Sequence, residues 1–371
     1  MTAPLTPLVA GLPATVPFVG PERQERDRGA PFRARIGANE SVFGPSPAAV
    51  AAMRSAAPDA WRYGDPDNHE LRLALADTLS VPQTSLVIGE GIDGLLGLTV
   101  RLFVEPGAAV VTSAGAYPTF AYHVAGFGGR LVTVPYRGDH EDPEALAAAA
   151  VREGARLVYL ANPDNPMGSW HRADRVSAIL DALPQGCLLC LDEAYGEFAP
   201  EGVLPALDAV DPRVIRFRTF SKAHGLAGLR LGYAIAAPQT AAAFDRVRNH
   251  FGITRIAQAA GLAALSDTAH LAKVQVAVAN SRAEIARIAE TAGCTPLPSA
   301  TNFVAIDCGG DGALARRVLQ GLLDRDIFVR MPGVPPLDRC VRISCGGPAE
   351  MALLAEAFPK AVAEARAAVP A

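Results

Sequence analysis

The chain has 371 residues, of which 50% are hydrophobic, and it carries 34 Lys and Arg against 38 Asp and Glu. This length allows roughly two or three domains, and the apolar content is ample for a sizeable core. The net charge of -4 does not favour nucleic-acid binding, which needs a basic surface. No apolar run reaches the roughly 20 residues that span a bilayer, and the N-terminus lacks the features of a signal peptide. We therefore expect a cytoplasmic enzyme that binds neither membranes nor nucleic acid.

Short apolar runs and helical stretches alternate through most of the chain. Residues 1 to about 35 are rich in Pro and Gly and predict an N-terminal arm rather than a domain. Beyond this arm, apolar runs predict buried strands at 86–88, 109–112, 131–134, 157–160, 187–191, 214–217 and 231–236. Helices are predicted at 70–79, 95–103 and 174–183. The pattern predicts an α/β fold with a mainly parallel, seven-stranded sheet flanked by helices.

A second, smaller domain is predicted after residue 267. An Ala-rich helix at 268–292 links the two domains, and strands are predicted at 303–306, 327–330 and 341–344 before a last helix at 348–368. We expect an arm at 1–35, a large domain at 36–267, and the linking helix with a small α+β domain at 268–371.

Polar motifs follow two neighbouring strands of the predicted sheet. The strand at 157–160 leads into Asn-Pro-Asp-Asn-Pro-Met-Gly at 162–168, and the strand at 187–191 ends in Asp-Glu-Ala-Tyr at 192–195. Ligands of open α/β sheets collect beyond the C-terminal ends of strands. We therefore expect Asn165, Asp192 and Tyr195 to face a common site.

The cysteines do not indicate a metal site. Cys187 and Cys190 spell C-x-x-C, but they lie in the predicted strand, where residues three apart point to opposite faces of the sheet. The other four cysteines are scattered, and the seven histidines have no ligand spacing. We predict no metal and interpret the cysteines as small core residues.

Lys222 is the most informative residue of the chain. The chain has only three lysines, although Lys and Arg together number 34. Unlike the guanidinium of Arg, a Lys amine can form an imine once its pKa is lowered. Thr219 and Ser221 supply hydroxyls beside Lys222, and Arg230 supplies a planar guanidinium, which together suit a phosphate monoester. An imine-forming amine beside a phosphate site predicts pyridoxal 5′-phosphate (PLP) as cofactor.

The polar motifs supply what this cofactor needs at its ring. The carboxylate of Asp192 can pair with the pyridine nitrogen and keep it protonated, so that the ring accepts electrons. The amide of Asn165 and the hydroxyl of Tyr195 can donate to the ring oxygen. Each motif is weak alone, but their order behind successive predicted strands favours a PLP enzyme.

These motifs, with Ser-Lys-Ala-His-Gly-Leu-Ala-Gly-Leu-Arg at 221–230, resemble the class I and II aminotransferases of PLP fold type I. Within them, the chain is most similar to the histidinol-phosphate aminotransferase branch. The similarity begins at 37–46, Gly-Ala-Asn-Glu-Ser-Val-Phe-Gly-Pro-Ser, and extends to 340–344, so that it covers nearly the whole chain.

The resemblance implies further roles around the cofactor. Lys222 would hold PLP covalently and move the proton between substrate and cofactor, and Tyr117 would stack on the ring. Tyr63 would reach the phosphate of the neighbouring subunit, which implies a homodimer with shared active sites. The cofactor phosphate would be bound by the backbone of a loop and by two side chains: Glu90, Gly91, Ile92, Ser221 and Arg230.

The resemblance also implies a substrate site. Arg342 would take the substrate α-carboxylate, Arg330 would bind a second anionic group, and Asn39 lies in the family's opening motif. Phe18 stands where the branch often has a Tyr that approaches the substrate. The implied reaction is ping-pong transfer of an amino group between histidinol phosphate and 2-oxoglutarate.

Three other functions stay open at this point. The missing hydroxyl at Phe18 and the unusual segment at 343–347 favour an aromatic amino-acid aminotransferase as the nearest alternative. Threonine-phosphate decarboxylases share the fold and similar motifs. A non-catalytic PLP-binding regulator is disfavoured, because the arm before Gly37 is too short for a DNA-binding domain.

Overall fold

The computed structural model describes residues 4–13, 19–206 and 209–368. Its α-helices are α1 Pro7–Ala10, α2 Pro21–Arg28, α3 Pro47–Ala56, α4 His69–Leu79, α5 Gly91–Phe103, α6 Pro118–Gly126, α7 Pro143–Glu153, α8 Ala173–Ala182, α9 Pro238–Phe244, α10 Arg255–Ser266, α11 Thr268–Thr291, α12 Gly312–Leu323 and α13 Pro348–Ala367. Its strands are β1 Ala34–Arg35, β2 Leu86–Glu90, β3 Ala109–Ser113, β4 Arg130–Val134, β5 Leu157–Ala161, β6 Leu188–Asp192, β7 Val214–Thr219, β8 Leu231–Ile235, β9 Thr295–Pro296, β10 Phe303–Asp307, β11 Ile327–Phe328 and β12 Cys340–Ser344. Within these ranges, no helix is both long and apolar enough to cross a membrane.

The main sheet has seven strands in the order β2-β8-β7-β6-β5-β3-β4. Its central strands are aliphatic and buried along their length, as expected where helices cover both faces. Strands β3 to β7 pair in parallel, whereas β8 is antiparallel to both β7 and β2. The prediction of a mainly parallel, seven-stranded α/β sheet is confirmed, and all seven strands lie where the apolar runs placed them.

The strand directions gather the polar motifs at one edge of the sheet. Since only β8 is reversed, the C-terminal ends of β2, β3, β5, β6 and β7 lie on the same side. The segments that follow these strands begin at Gly91, Ala114, Asn162, Glu193 and Phe220. The segments predicted to bind cofactor are therefore neighbours in space.

The C-terminal part of the chain forms a second, smaller core. Strands β12, β10 and β9 make an antiparallel sheet, and α11, α12 and α13 pack with it. Strand β1 pairs in parallel with β11, so that Ala34 and Ile36 lie in this second core rather than in the main one. The predicted domain limits stay a prediction, although residues 34–36 pack with the smaller body.

The six cysteines are free and buried. Cys187 lies in the core on one face of the main sheet, and Cys190 lies in the core on the other face. These two cysteines therefore pack in two different hydrophobic cores.

Candidate active site

Lys222 lies just beyond the end of β7, in a half-buried position. Its Nζ donates a hydrogen bond to the backbone oxygen of Asn39 at 3.1 Å and lies 5.7 Å from the centre of the Tyr195 ring. Burial lowers the pKa of the Lys222 amine to about 8, and the positive charge of Arg342 adds to this effect. A substantial fraction of the amine is therefore neutral, and nucleophilic, near physiological pH.

Asn39 connects this lysine to Tyr195. Its side chain donates from Nδ2 to the Tyr195 hydroxyl at 2.9 Å, and its backbone oxygen also accepts from Asn302 Nδ2 at 3.1 Å. Asn39 has a left-handed backbone with φ of 55°, which Asn tolerates better than most residues. Its Oδ1 accepts from Ser344 Oγ at 3.1 Å, so hydrogen bonds fix both the side chain and the backbone of Asn39.

Asp192 ends β6 as a buried carboxylate. Tyr159 on β5 donates its hydroxyl to Oδ2 at 2.7 Å, and the backbone N–H of Ala194 donates to Oδ1 at 2.9 Å. Burial raises the pKa of Asp192 to about 6, against the effect of these two donors. The group stays largely ionised at neutral pH and lacks a cationic partner among the described residues, so it suits a protonated ring nitrogen.

Arg342 and Asn165 meet on the substrate side of the site. Arg342 donates from Nη1 to Asn165 Oδ1 and from Nη2 to the Gly37 backbone oxygen, the latter at 3.4 Å. Its guanidinium carbon lies 5.2 Å from the centre of the Phe303 ring. The Nε atom is buried without a hydrogen-bond partner, and no carboxylate of the described residues lies within 4.0 Å. The guanidinium is thus available to an incoming anion.

The residues predicted to bind the cofactor phosphate form a cradle at the start of α5. The Ser221 hydroxyl accepts from Thr219 Oγ1 at 2.9 Å and from Arg230 Nη1 at 3.5 Å. Gly91 opens α5 with φ of 72°, and a Cβ there would lie 2.3 Å from Arg230 Nη2. Glycine is therefore required for the guanidinium to lie against the helix N-terminus, where free N–H groups favour anions.

Tyr117 lies at the start of α6, beside this cradle. Its hydroxyl donates to Asp93 Oδ1 at 2.9 Å, and burial raises the pKa of the phenol. Asp93 also lies 3.9 Å from Arg230 Nη2, so one carboxylate links the aromatic ring to the phosphate cradle.

Other predicted residues lie outside this cluster. Tyr63 is 75% exposed and packs on Phe251, with ring centres 4.7 Å apart. The Glu90 carboxylate accepts from Asn249, so that only its backbone faces the cradle, while the Ile92 side chain is in the core. Arg330 donates from Nη2 to the Val19 backbone oxygen at 2.9 Å. Phe18 lies outside the described residues.

Sequence reasoning missed the residues that support the catalytic groups. Tyr159 was counted only as part of an apolar strand, and Asp93, Asn302 and Ser344 received no role. A signal existed for Tyr159, because a Tyr in the middle of a buried strand needs a hydrogen-bond partner for its hydroxyl. Nothing local pointed to Asn302, which lies 263 residues from its partner.

Comparison with known proteins decides the family. Residues 35–358 match the family model described as aminotransferase class I and II. The chain belongs to the class I and II aminotransferases. A histidinol-phosphate aminotransferase of Anaeromyxobacter sp. (strain Fw109-5) is 38% identical over 350 residues, which are 93% of each protein. One from Ralstonia nicotianae is also 38% identical, over 90% of each.

A solved structure extends this match to three dimensions. This aminotransferase is 57% identical in sequence to the protein in the crystal structure of histidinol-phosphate aminotransferase from Sinorhizobium meliloti in complex with pyridoxal-5′-phosphate. That structure has a TM-score of 0.95 and covers 98% of this chain and 99% of its own. The predicted fold type I architecture and the histidinol-phosphate aminotransferase branch are confirmed.

PLP is the cofactor of this aminotransferase, and its residues fit the group. The cradle that a Cβ at Gly91 would fill suits a phosphate ester, and the buried Asp192 carboxylate suits a pyridinium nitrogen. Ser221, Arg230 and the N-terminus of α5 would hold the phosphate, Asp192 the ring nitrogen, Asn165 and Tyr195 the ring oxygen, and Lys222 the aldehyde carbon.

Gly91→Ala is expected to weaken PLP binding at least about 10-fold, because the new methyl group displaces the Arg230 guanidinium. The dissociation constant is measured by absorbance titration of the apoenzyme. Gly107→Ala is the matched control: Gly107 also has positive φ, of 84°, but a Cβ there meets nothing within 4 Å. Both variants carry backbone strain of about 1 kcal/mol or more. Equal PLP affinities in the two variants would contradict the assigned cradle.

Proposed function

We propose that this aminotransferase moves an amino group between histidinol phosphate and 2-oxoglutarate in two half-reactions. One observation carries the choice of substrate: histidinol-phosphate aminotransferases match it across nine-tenths or more of both chains. The geometry supports amino transfer in general, because Lys222, Asp192, Asn165 and Arg342 converge on one cleft.

Lys222 is the residue that moves the proton. PLP, when bound, supplies an electron sink for the charge that develops at the substrate Cα. The Lys222 amine, released when the substrate amine takes its place, would take the proton from the substrate Cα and deliver it to the C4′ carbon of the cofactor. Its lowered pKa of about 8 suits this exchange near neutral pH. The hydrogen bond to Asn39 O keeps Nζ within reach of the cleft.

Asp192 and its neighbours fix the electronic environment. The Asp192 carboxylate would hold a proton on the ring nitrogen, and Tyr159 and the Ala194 N–H orient that carboxylate. Asn165 and Tyr195 would donate to the ring oxygen, and Asn39 orients the Tyr195 hydroxyl. Because Asp192 and Tyr195 are buried, each of these electrostatic contacts is stronger than it would be in water.

Arg342 and Arg330 serve substrates of different shape. Glutamate and 2-oxoglutarate present two carboxylates, whereas histidinol phosphate presents a phosphate ester and no α-carboxylate. Arg342 would take the α-carboxylate, and Arg330 would bind the second anion. The backbones of these two residues pair in an antiparallel bridge. The two guanidinium groups thus lie on adjacent segments of the small domain.

A homodimer is part of this proposal. Trp61, Tyr63 and Phe251 are exposed by 77%, 75% and 51%, although large aromatic side chains are usually covered. Contact with a second copy would bury them and place Tyr63 near the partner's phosphate cradle.

A cytoplasmic location is supported by the six free, buried cysteines, which are usual where thiols are kept reduced.

Arg342→Ala is expected to raise the KM for glutamate about 100-fold or more, because a buried charge-assisted contact to the α-carboxylate is lost. The effect is measured from the glutamate concentration dependence of the single half-reaction that converts the PLP form to the pyridoxamine form. Tyr63→Phe should change this KM by much less, since its hydroxyl is assigned to the cofactor phosphate. Equal effects of the two substitutions would remove Arg342 from the role of carboxylate anchor.

The substrate itself is tested by single-turnover spectroscopy of the PLP-loaded enzyme. Histidinol phosphate, phenylalanine and O-phosphothreonine are added separately, and loss of the PLP absorbance band is followed. Fast conversion to the pyridoxamine form by histidinol phosphate alone supports the proposal. Conversion by phenylalanine instead would assign an aromatic aminotransferase, and release of carbon dioxide from O-phosphothreonine would assign a decarboxylase.

A further inference from the structure

Asp164 is a buried carboxylate that has no task in the mechanism above. It is 2% exposed. Its Oδ1 accepts from the Tyr136 hydroxyl at 2.9 Å, and its Oδ2 accepts from the Met167 backbone N–H at 3.0 Å. Across the described part of the chain, no Lys, Arg or His nitrogen lies within 4.0 Å of it. A buried carboxylate without an ion-pair partner is costly, which points to a function.

A second buried acid, Glu141, determines which of the two carries the charge. Glu141 is 1% exposed and accepts from Ser113 Oγ at 2.5 Å and from the Ala161 N–H at 2.9 Å. Burial, with the charge of Asp164, raises the pKa of Glu141 well above its usual range. Burial raises the pKa of Asp164 to about 7, while Arg342 opposes that rise. Above pH 7, Asp164 is therefore the ionised member of the pair, as expected when two carboxyls share a site.

The charge of Asp164 acts on Arg342. Asp164 immediately precedes Asn165, whose Oδ1 accepts the hydrogen bond from Arg342 Nη1. Burial lowers the pKa of Arg342 to about 10, and the attraction of Asp164 works against that effect. Asp164 thus partly compensates the charge of the guanidinium from more than 4.0 Å away.

We propose that Asp164 is a specificity-determining residue whose charge competes with the substrate carboxylate for Arg342. It weakens binding of glutamate and 2-oxoglutarate, and it stabilises Arg342 while the site holds an amino donor that has no α-carboxylate. The inference rests on the carboxylate-binding role proposed for Arg342. It explains why a buried acid lies one residue from Asn165 with hydrogen-bond donors but no cation in contact.

The test compares two variants, the first of them at pH 8, where Asp164 is mostly ionised. Asp164→Asn is expected to lower the KM for glutamate about 3- to 10-fold and to leave the KM for histidinol phosphate within about 2-fold. Tyr136→Phe, measured at pH 9, is the control, because it keeps the carboxylate. Loss of the Tyr136 donor raises the pKa of Asp164, and the higher pH keeps the group ionised, so this variant should show no selective gain for glutamate. A parallel rise of both KM values in Asp164→Asn would mean a merely structural role and would overturn the proposal.

A binding measurement makes the result independent of the amino donor. Glutarate, an unreactive dicarboxylate, is titrated into the PLP-loaded enzyme by calorimetry, and its Kd should fall about 3- to 10-fold in Asp164→Asn. An unchanged Kd contradicts the proposal. If wild-type enzyme does not turn over histidinol phosphate, the proposed substrate fails while the glutarate result still decides the role of Asp164. Should Asp164→Asn fail to fold, Asp164→Ser removes the same charge and keeps an acceptor for the Met167 N–H.

Discussion

Lys222→Ala is expected to lower the rate of amino transfer by at least about 10³-fold while the protein keeps its fold. The substitution removes the amine to which we assign both the covalent attachment of PLP and the proton transfer at the substrate Cα. The chain offers no replacement, because its other two lysines are at positions 273 and 360, and Lys360 pairs with Glu356 on α13. Turnover is measured with histidinol phosphate and 2-oxoglutarate, and the fold by circular dichroism.

Lys273→Ala is the matched control, since Lys273 is an exposed lysine on α11. Its turnover should equal that of the wild type. The pH dependence gives a second check: because burial lowers the pKa of Lys222 to about 8, the neutral amine fraction rises as pH increases through 8. The rate at which apoenzyme attaches PLP should rise with it between pH 7 and 9. Wild-type turnover in Lys222→Ala would show that Lys222 does not have the proposed catalytic role.

Asp192→Asn is expected to lower kcat by about 10²- to 10⁴-fold. The amide keeps the shape of the carboxylate but carries no negative charge, so the ring nitrogen loses the group that holds its proton. The buried setting makes the loss large, since Asp192 is 5% exposed and water does not replace it. Pre-steady-state kinetics of the glutamate half-reaction measure the effect.

Tyr159→Phe separates the charge of Asp192 from its orientation. This variant keeps the carboxylate and removes only the hydrogen bond of 2.7 Å to Oδ2, so a loss of about 10-fold in kcat is expected. A Tyr159→Phe enzyme as impaired as Asp192→Asn would show that orientation, rather than charge, carries the effect.

Much of the fold could be predicted because the signals were local. The aliphatic runs at 157–160 and 187–191 are buried strands because helices cover both faces of the sheet. The motifs at Asn165, Asp192 and Lys222 then converge because parallel strands end at one edge. Nothing in the run at 231–236 revealed that β8 is reversed, since direction is set by the length and path of its short connection to β7.

The supporting contacts could not be predicted because they join distant segments. The Asn39 backbone meets Lys222 across 183 residues, and the Ser344 hydroxyl meets Asn39 across 305. Such pairs depend on how the two cores dock, which no periodicity encodes. The role of Tyr63 also depends on a surface that a single chain leaves exposed, so it stays a prediction.

Because residues 34–36 pair with the smaller body, segments of both bodies contribute residues to the proposed active site. Ile36 N–H donates to Phe328 O and Ser344 N–H donates to Ile36 O, so Asn39 and Arg342 are carried by the same unit. Lys222, Asp192 and Asn165 belong to the other unit. In the role proposed for Arg342, a carboxylate bound between Arg342 and Asn165 would join the two units. We therefore expect such a ligand to raise the temperature at which the enzyme unfolds, because it binds only when both units are folded and in contact.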